Sequence, residues 1–263
     1  MLKKRLIVSL LLQNGQLVKS VGFHDYQIVG SPQIAIQFFN AWAADEIIFL
    51  DISTSCEYTD LVRKDSVFPE LSSLIEIVKN SAKTCFLPLT VGGGVRTIDQ
   101  MRELFLSGAD KIAINTQAVR TPQLIAKAAE RFGNQAIVVS IDAKRNNAGG
   151  HEVFIDHGKE ATGLNVVEWV QQAEILGAGE ILLNSIDQDG RLSGYDLSLI
   201  RCVASAVTIP VIALGGVGKW EHLVDGVRAG ASAVSAANIF HFTEQSTRQA
   251  KKHMAEAGID VRL

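Results

Sequence analysis

Eight short apolar segments recur along the chain, and most of them are followed by an amphipathic stretch with helical periodicity. The apolar segments lack strict alternation, which is typical of parallel strands that are covered on both faces. Eight strands that alternate with helices in a chain of 263 residues favour an α/β fold, a (β/α)8 TIM barrel, over an open doubly wound sheet. The predicted strands are 6–12, 46–51, 86–91, 111–115, 136–142, 180–185, 211–214 and 233–236, and the clearest predicted helices are 32–43, 98–107, 122–132, 166–176 and 197–206.

An internal repeat supports the barrel. The sequence Val-Gly-Gly-Gly-Val at 91–95 recurs as Leu-Gly-Gly-Val-Gly at 214–218, and 108–112 resembles 230–234. The segment 44–47 likewise pairs with 178–181. Two half-barrels of four βα units are the simplest account of this twofold repeat. No linker rich in proline or serine divides the halves, so we expect residues 1–263 to form a single barrel domain.

Composition and charge exclude several classes of protein. A hydrophobic content of 47% with 20% charged residues argues against disorder. The net charge of −3 and the pI of about 6.1 give no reason to expect a nucleic-acid or membrane partner. The opening apolar run, 6–12, is too short to span a bilayer and lacks a cleavage site, so we expect a cytoplasmic protein.

The cysteines also agree with a reducing compartment such as the cytoplasm. Cys56, Cys85 and Cys202 are odd in number and far apart, so they match neither a zinc site nor a disulfide framework. Buried or incidental thiols are favoured over a catalytic one, and no metal site is predicted.

Glycine clusters mark the expected ligand sites. In barrels of this kind the active site lies at the carboxyl ends of the strands, where glycine loops let backbone N–H groups approach a phosphate. The clusters at 92–94 and 215–216 both follow predicted strands, and each is followed by a small polar pair, Asn115-Thr116 or Ala237-Asn238. One such cluster could simply form a tight turn. Two matched clusters favour two phosphate sites on opposite sides of the mouth, and hence a substrate with phosphate at both ends.

Acidic residues at strand ends are the candidates for acid–base chemistry. Asp142 ends the fifth predicted strand, Asp51 ends the second, and Asp187 and Asp189 follow the sixth. Alignment of the two halves of the repeat places Leu11 opposite Asp142. A site with one carboxylate from each half is therefore incomplete, although Leu11 could also be an ordinary core residue.

Several sequence blocks, which extend over nearly the whole chain, resemble the HisF family, the cyclase subunit of imidazole glycerol phosphate synthase. These blocks are 1–5, 49–52, 89–94, 141–145, 177–183, 187–190, 239–242 and 258–263. The resemblance implies a (β/α)8 barrel that forms a heterodimer with a separate HisH-like glutaminase. In that family, ammonia from the glutaminase crosses the barrel and reacts with a bis-phosphorylated ribulosyl aminoimidazole carboxamide. The products are imidazole glycerol phosphate and an aminoimidazole carboxamide ribotide, and no cofactor or metal is required.

The resemblance also assigns roles to individual positions. Asp142 matches a catalytic acid–base, and Lys19 matches a lysine of the first βα loop that helps to hold the substrate. Asp110 matches a contact with the glutaminase. One phosphate site corresponds to Gly94, Asn115 and Thr116, the other to Asp189, Gly190, Gly216, Ala237 and Asn238, and the charged gate of the ammonia channel corresponds to Arg5, Glu46, Lys111 and Glu180.

The chain departs from the family pattern at strand ends that face the expected site. Leu11 stands in place of the family's other catalytic aspartate, Asn184 in place of threonine, and Leu214 and Asn238 in place of serines. The Leu-Leu-Leu first strand and the Leu-Asn-Ser-Ile-Asp segment resemble a HisF-like paralogue of surface-polysaccharide pathways. That resemblance implies delivery of ammonia to a separate enzyme that amidates a nucleotide-activated sugar. Two alternatives stay open: an authentic cyclase of histidine biosynthesis that uses another base, and a non-catalytic activator of the glutaminase.

Overall fold

In the computed structural model, residues 2–54, 58, 72–241 and 245–263 are described. Twelve strands are present in these residues: β1 Arg5–Gln13, β2 Gln16–Val21, β3 Asp25–Gly30, β4 Glu46–Asp51, β5 Leu89–Gly92, β6 Lys111–Ile114, β7 Ile137–Arg145, β8 His151–Ile155, β9 Glu160–Asn165, β10 Glu180–Ser185, β11 Val211–Leu214 and β12 Ala233–Ala236. The α-helices of the same residues are α1 Pro32–Ala41, α2 Leu74–Ala82, α3 Ile98–Leu106, α4 Thr116–Arg120, α5 Gln123–Phe132, α6 Val166–Ile175, α7 Leu197–Ala206, α8 Trp220–Arg228 and α9 Ser246–Glu256. Short 3-10 helices lie at Asn134–Ala136 and Asn238–His241.

Eight of the strands form a closed parallel barrel. The order is β1-β4-β5-β6-β7-β10-β11-β12, and the ring closes because β12 pairs in parallel with β1, with Arg5 opposite Ala233. These eight strands are the eight predicted apolar segments, so the predicted (β/α)8 barrel is confirmed. The third strand begins later than predicted, at Leu89, and Phe86 lies outside it with 89% of its surface exposed.

The helices pack their apolar faces against the outside of this barrel. The main core cluster includes Leu6, Val8 and Leu10 of β1 together with apolar residues of the helices, such as Ile36 of α1 and Val203 of α7. The helix starts carry expected capping signals: the Thr97 hydroxyl and the Gln100 side chain form a capping box at the start of α3. None of the described helices is long and apolar enough to cross a membrane.

Two hairpins that the sequence analysis did not predict rise from the carboxyl end of the barrel. In the first, β2 pairs antiparallel with the end of β1 and then with β3. In the second, β8 pairs with the extension of β7 beyond Asp142 and then with β9. Their tips meet, because the space beside Gly158 in the second hairpin is bordered by the ring of Phe23 in the first. The hairpins therefore partly cover the mouth of the barrel.

Candidate functional site

A cavity of about 470 Å³ opens at the carboxyl ends of the barrel strands, beneath the two hairpins. This is the end at which barrels of this kind place their active sites. The cavity brings together residues that the sequence analysis had selected separately. Asp142, Gly94, Asn115, Thr116, Asp189, Gly190, Gly216, Ala237 and Asn238 all line it, together with Leu11, Asn184 and Leu214.

Asp142 lies at the floor of this cavity with 7% of its surface exposed. The Asn115 amide donates to its Oδ2 atom at 2.9 Å, and the Asn184 amide donates to its Oδ1 atom at 3.4 Å. Burial raises the pKa of Asp142 to about 7, the two amide donors oppose this rise, and the charge of Asp189 adds to it. A carboxyl group with this pKa can both give and take a proton near neutral pH.

Part of the wall contributed by β1, β4 and β11 is apolar. Leu11, Leu50 and Leu214 line the cavity there, and the last two pack on the apolar layer inside the barrel. The position of β1 that is equivalent to Asp142 in the repeat is therefore occupied by a side chain that cannot transfer a proton. The cavity is polar at β6, β7 and β10, whereas the side across from these strands combines the three leucines with Ser9 and Asp51.

Two of the other acids that line the cavity, Asp51 and Asp189, are engaged in structural contacts, and the third, Asp156, lies exposed in the second hairpin. Asp51 accepts hydrogen bonds from the backbone and side chain of Ser53 and, at 2.7 Å, from the hydroxyl of Tyr58. The Asp189 carboxylate accepts from the Ser20 hydroxyl at 2.6 Å and from the Phe23 amide at 3.2 Å. Burial raises the pKa of Asp189, and these hydrogen bonds oppose the rise.

These contacts refine the predicted phosphate site around Asp189. A carboxylate repels phosphate, so the Asp189 side chain serves here to hold the first hairpin over the mouth. Gly190 allows the first hairpin to lie close to this loop, because a Cβ atom at this position would lie 2.6 Å from the carbonyl oxygen of Ser20. Gly216, Ala237 and Asn238 remain the candidate phosphate ligands on this side, and the Asn238 amide donates to the Ser20 carbonyl at 3.4 Å.

The other candidate phosphate site has more open space. Gly93 is required by its contact with β4, because a Cβ atom there would lie 2.1 Å from the Asp51 carbonyl oxygen. Gly94, at φ +64, has no atom within 4 Å of its missing Cβ and faces the cavity. The Thr116 hydroxyl accepts from the Asp156 amide at 3.1 Å, which ties the second hairpin to this site. The exposed guanidinium of Arg96 also lines the cavity here, and the sequence analysis missed it.

Lys19 lies in a different position from the one expected of a substrate ligand. It is half-buried on β2, next to Ser20, and the cavity is lined by Ser20 and not by Lys19. Because neighbouring residues of a strand point to opposite faces, the two side chains separate. Its assignment as a substrate ligand stays a prediction.

The four charged residues predicted as a gate form a closed ring at the opposite end of the barrel. Each is the first residue of its strand: Arg5 of β1, Glu46 of β4, Lys111 of β6 and Glu180 of β10. Arg5 bonds to Glu46 at 2.8 Å and to Glu180 at 2.9 Å, while Lys111 bonds to Glu46 at 3.1 Å and to Glu180 at 3.0 Å. Burial alone would lower the pKa of Arg5, but the charges of Glu180 and Glu46 outweigh it and raise that pKa. The ring has alternating signs and no net charge.

An apolar layer separates the charged ring from the cavity. The layer consists of buried side chains that point into the barrel. Four of them lie two residues further along their strands than a ring residue, namely Ile7, Ile48, Ala113 and Leu182, and Val138, Ile212 and Ala233 of β7, β11 and β12 complete the layer. Two residues further again, the inward positions become partly polar, with Ser9, Ser140, Asn184 and Ser235. The interior of the barrel therefore changes from charged to apolar to polar along its axis.

The surface around the charged ring carries exposed apolar side chains. Phe86 and Leu106 precede β5 and β6, Ile175 precedes β10, and their exposed fractions are 89%, 79% and 85%. Asp110, the predicted contact for a partner, lies at this end as well and accepts a hydrogen bond from the Leu89 amide at 2.8 Å. Its side chain is exposed beside the ring.

Sequence reasoning did not find several polar residues of the cavity. Ser140 precedes Asp142 by two residues on the same face of β7, and Ser9 precedes Leu11 in the same way, so strand alternation would have indicated both. Among the described residues, no three His, Cys, Asp or Glu side chains are grouped as a metal would require. Cys85 is half-buried and Cys202 exposed, while Cys56 and Phe242 lie outside the described residues.

Comparison with known families agrees with this architecture. The family model described as histidine biosynthesis protein matches residues 5–246. The match begins at the first residue of the charged ring and includes all eight barrel strands, Asp142 and both glycine loops. The chain therefore belongs to the histidine biosynthesis protein family, whose members are enzymes of that pathway.

Proposed function

We propose that this barrel conducts ammonia from a separate HisH-like glutaminase subunit to an acceptor, and that the acceptor reaction is the amidation of a nucleotide-activated sugar for surface polysaccharide. The observation that carries the proposal is a contrast between the two ends of the barrel. The charged ring at one end is complete, whereas the mouth at the other end has lost one of its two symmetric acids.

The charged ring supports the conduit. Its four side chains satisfy one another, and the Thr90 hydroxyl also donates to Glu46 at 2.8 Å. Partly buried charges of this kind are costly to desolvate unless they are paired, so a complete ring around the barrel axis is unusual for a purely structural surface. The apolar layer above the ring favours a small neutral molecule such as ammonia over ions.

The surface around the ring supports a partner. Phe86, Leu106 and Ile175 expose large apolar areas at the end where the ring opens. Large exposed apolar side chains near polar residues are typical of protein–protein contacts. A glutaminase docked there, with Asp110 at the contact, would release ammonia directly at the ring.

The mouth argues against cyclisation. A reaction with separate acid and base steps needs two groups that transfer protons, and Leu11 removes one of them. Asp51 and Asp189 do not replace it, because their carboxylates are held by Ser53, Tyr58, Ser20 and Phe23. The sugar acceptor itself is taken from the resemblance of the first and sixth barrel strands to the surface-polysaccharide paralogue.

An assay with the authentic pathway substrate tests the choice of acceptor. The purified chain, its glutaminase partner, glutamine and the bis-phosphorylated histidine-pathway substrate are combined, and imidazole glycerol phosphate is measured. We expect little or no product. Cyclisation with a kcat on the order of 1 s⁻¹ or faster would instead establish an authentic cyclase.

Variants of the ring test the conduit. Lys111→Ala removes one of the two cations that join Glu46 to Glu180, and Glu180→Ala removes an anion from the same ring. With glutamine labelled by ¹⁵N at the amide, we expect a several-fold smaller share of the label to reach the acceptor. Lys252→Ala, whose side chain is 78% exposed on α9, is the matched control and should change nothing.

Two results would contradict the conduit. Unchanged coupling in both ring variants would remove the evidence for a working gate. If the label reached the acceptor in the absence of this chain, the chain would not conduct ammonia. The remaining function would be that of a non-catalytic activator of the glutaminase.

A further inference from the structure

Arg120 lines the cavity, although neither the internal repeat nor the family resemblance indicated it. It is the last residue of α4, which begins at Thr116, and Gly94 lines the same cavity. Residues four apart on a helix lie on the same face, so Thr116 and Arg120 face the same side of the cavity. A ligand group bonded to Thr116 would therefore lie near a guanidinium that has several N–H donors.

The partner of Arg120 in the structure is a carboxylate of the second hairpin. Its Nη2 atom donates to Oε2 of Glu160, the first residue of β9, at 2.8 Å. The two side chains are 51% and 53% exposed. An ion pair this exposed contributes little to stability, because water screens the charges and two long side chains must be ordered. Carboxylates and phosphates form the same kind of charge-assisted bond with arginine, so an anionic ligand can take the place of Glu160.

The base of the second hairpin is held much more firmly. There the guanidinium of Arg145 donates to both oxygens of Asp196, at 2.9 and 3.1 Å, and His151 bonds to the same carboxylate at 3.1 Å. The side chain of Asp196 is only 1% exposed. Further out, the hairpin is tied to α4 by the exposed ion pair and by one hydrogen bond from the Asp156 amide. Strand β9 is exposed at five of its six positions, so this outer part can open while the base stays in place.

We propose that Arg120 is a ligand-binding residue of the cavity, and that it exchanges Glu160 for an anionic group of the ligand, such as a phosphate. The group would lie beside Gly94 and Thr116. The exchange leaves Glu160 without its cation and frees β9, so binding of the ligand is coupled to opening of the second hairpin. A neutral group at the same place would not displace the carboxylate, which makes Arg120 a determinant of specificity. The inference goes beyond the ammonia conduit and does not depend on it.

The exchange can be measured on the full chain without a partner protein. Inorganic phosphate is the probe, and its binding is followed by NMR through the backbone amide signals of Gly94 and Thr116. Sodium chloride keeps the ionic strength constant, so that general screening does not change. Hydrogen exchange of the β9 amides is measured with and without phosphate. We expect phosphate to bind the parent protein and to increase the hydrogen exchange of β9 several-fold.

A double-mutant cycle isolates the ion pair. Glu160→Gln frees the guanidinium, so phosphate should bind about two- to fivefold more tightly, the range that an exposed ion pair allows. Arg120→Gln should weaken binding, and Glu160→Gln should have no further effect in its background. Both single variants should increase the hydrogen exchange of β9 even without phosphate. Arg131→Gln, at an exposed cation in the last turn of α5, is the matched control and should change neither quantity.

The comparison of the two backgrounds decides the assignment. Equal gains from Glu160→Gln with and without the Arg120 guanidinium would show that loss of a negative charge acts through the general field of the cavity, and the proposed exchange would be overturned. Failure of phosphate to bind the parent protein, or to change the hydrogen exchange of β9, would overturn it as well. Because glutaminase and ammonia are absent from these measurements, none of these results bears on the proposed conduit.

Discussion

The carboxyl group of Asp142 is buried beneath the cavity, where the side-chain amides of Asn115 and Asn184 donate hydrogen bonds to it. In the sequence it is one of four acids near strand ends, and its place in the repeat distinguishes it from the others. Its position at the end of a predicted strand was enough to predict that it lies at the mouth of the barrel. The hydrogen bonds of Asp142 with Asn115 and Asn184 could not be predicted, because they depend on the relative positions of three neighbouring strands in the closed barrel.

Burial of Asp142 makes the stability of the protein depend on pH. Its pKa rises from the usual 3.8 to about 7 in the folded state, so the folded protein binds a proton that the unfolded chain releases. The free energy of unfolding should therefore fall as pH rises from about 4 to about 7, by up to roughly 4 kcal/mol. Asp142→Asn should remove this part of the pH dependence.

Urea denaturation of both proteins across this pH range measures the effect. Asp260→Asn, at a side chain that is 62% exposed, is the control and should follow the parent protein. If the free energy of unfolding changed with pH in the same way for the parent protein and Asp142→Asn, the pKa of Asp142 would not be raised in the folded state.

Among the secondary-structure elements, the barrel strands could be predicted from the sequence and the two hairpins could not. The barrel strands are short apolar runs because both of their faces are covered, and this pattern is visible in the sequence. Strand β9 is mostly exposed, and β3 has only two partly buried positions, so neither gives a periodic signal. The hairpins are fixed instead by tertiary contacts, such as those of Asp189 with Ser20 and Phe23.

Gly190 offers a direct test of how the first hairpin is held. Ala at this position would place a Cβ atom 2.6 Å from both the Ser20 oxygen and the Val21 Cα atom. Gly190→Ala should therefore displace β2 and increase amide hydrogen exchange in Gln16–Val21. The expected cost is about 1–3 kcal/mol beyond the strain of a left-handed alanine.

Gly163 supplies the matched control for that strain. It has a similar φ, +73 against +69 at Gly190, but no atom lies within 4 Å of its missing Cβ. Gly163→Ala should lose stability through backbone strain alone and leave the exchange of β2 unchanged. If both substitutions increased amide hydrogen exchange in β2 equally, the contact of residue 190 with Ser20 and Val21 would not be the cause of the increase.

For the molecule as a whole, a buried ion pair fixes the last helix to the barrel. Lys251 of α9 bonds to Asp45 at 2.6 Å, and the two side chains are only 3% and 6% exposed. The second oxygen of Asp45 accepts from the amide of Leu6, at the start of β1, at 2.8 Å. This pair joins the C-terminal helix to the first two barrel strands, and no sequence pattern indicated that these two residues, about 200 positions apart in the chain, are paired.

Loss of one partner should be costly. Lys251→Met leaves the Asp45 carboxylate buried without its cation, and we expect the free energy of unfolding to fall by about 3–5 kcal/mol. The neighbouring Lys252→Ala removes an exposed cation paired with Glu256 at 3.9 Å and should cost less than about 0.5 kcal/mol. Chemical denaturation of both variants measures the difference, and similar losses would show that the ion pair does not anchor the helix.

The pairing of β1 with β12 also determines when the protein can fold during its synthesis. Among the described residues, the ladder partners of Arg5 and Leu6 are Ala233 and Val234, and Ser9 bonds to the Ser235 hydroxyl at 2.8 Å. A nascent chain therefore holds its first strand with one edge unpaired until nearly the entire sequence has left the ribosome. Closure is a late and strongly non-local event, so this barrel should fold slowly and should rely on protection of that open edge during translation.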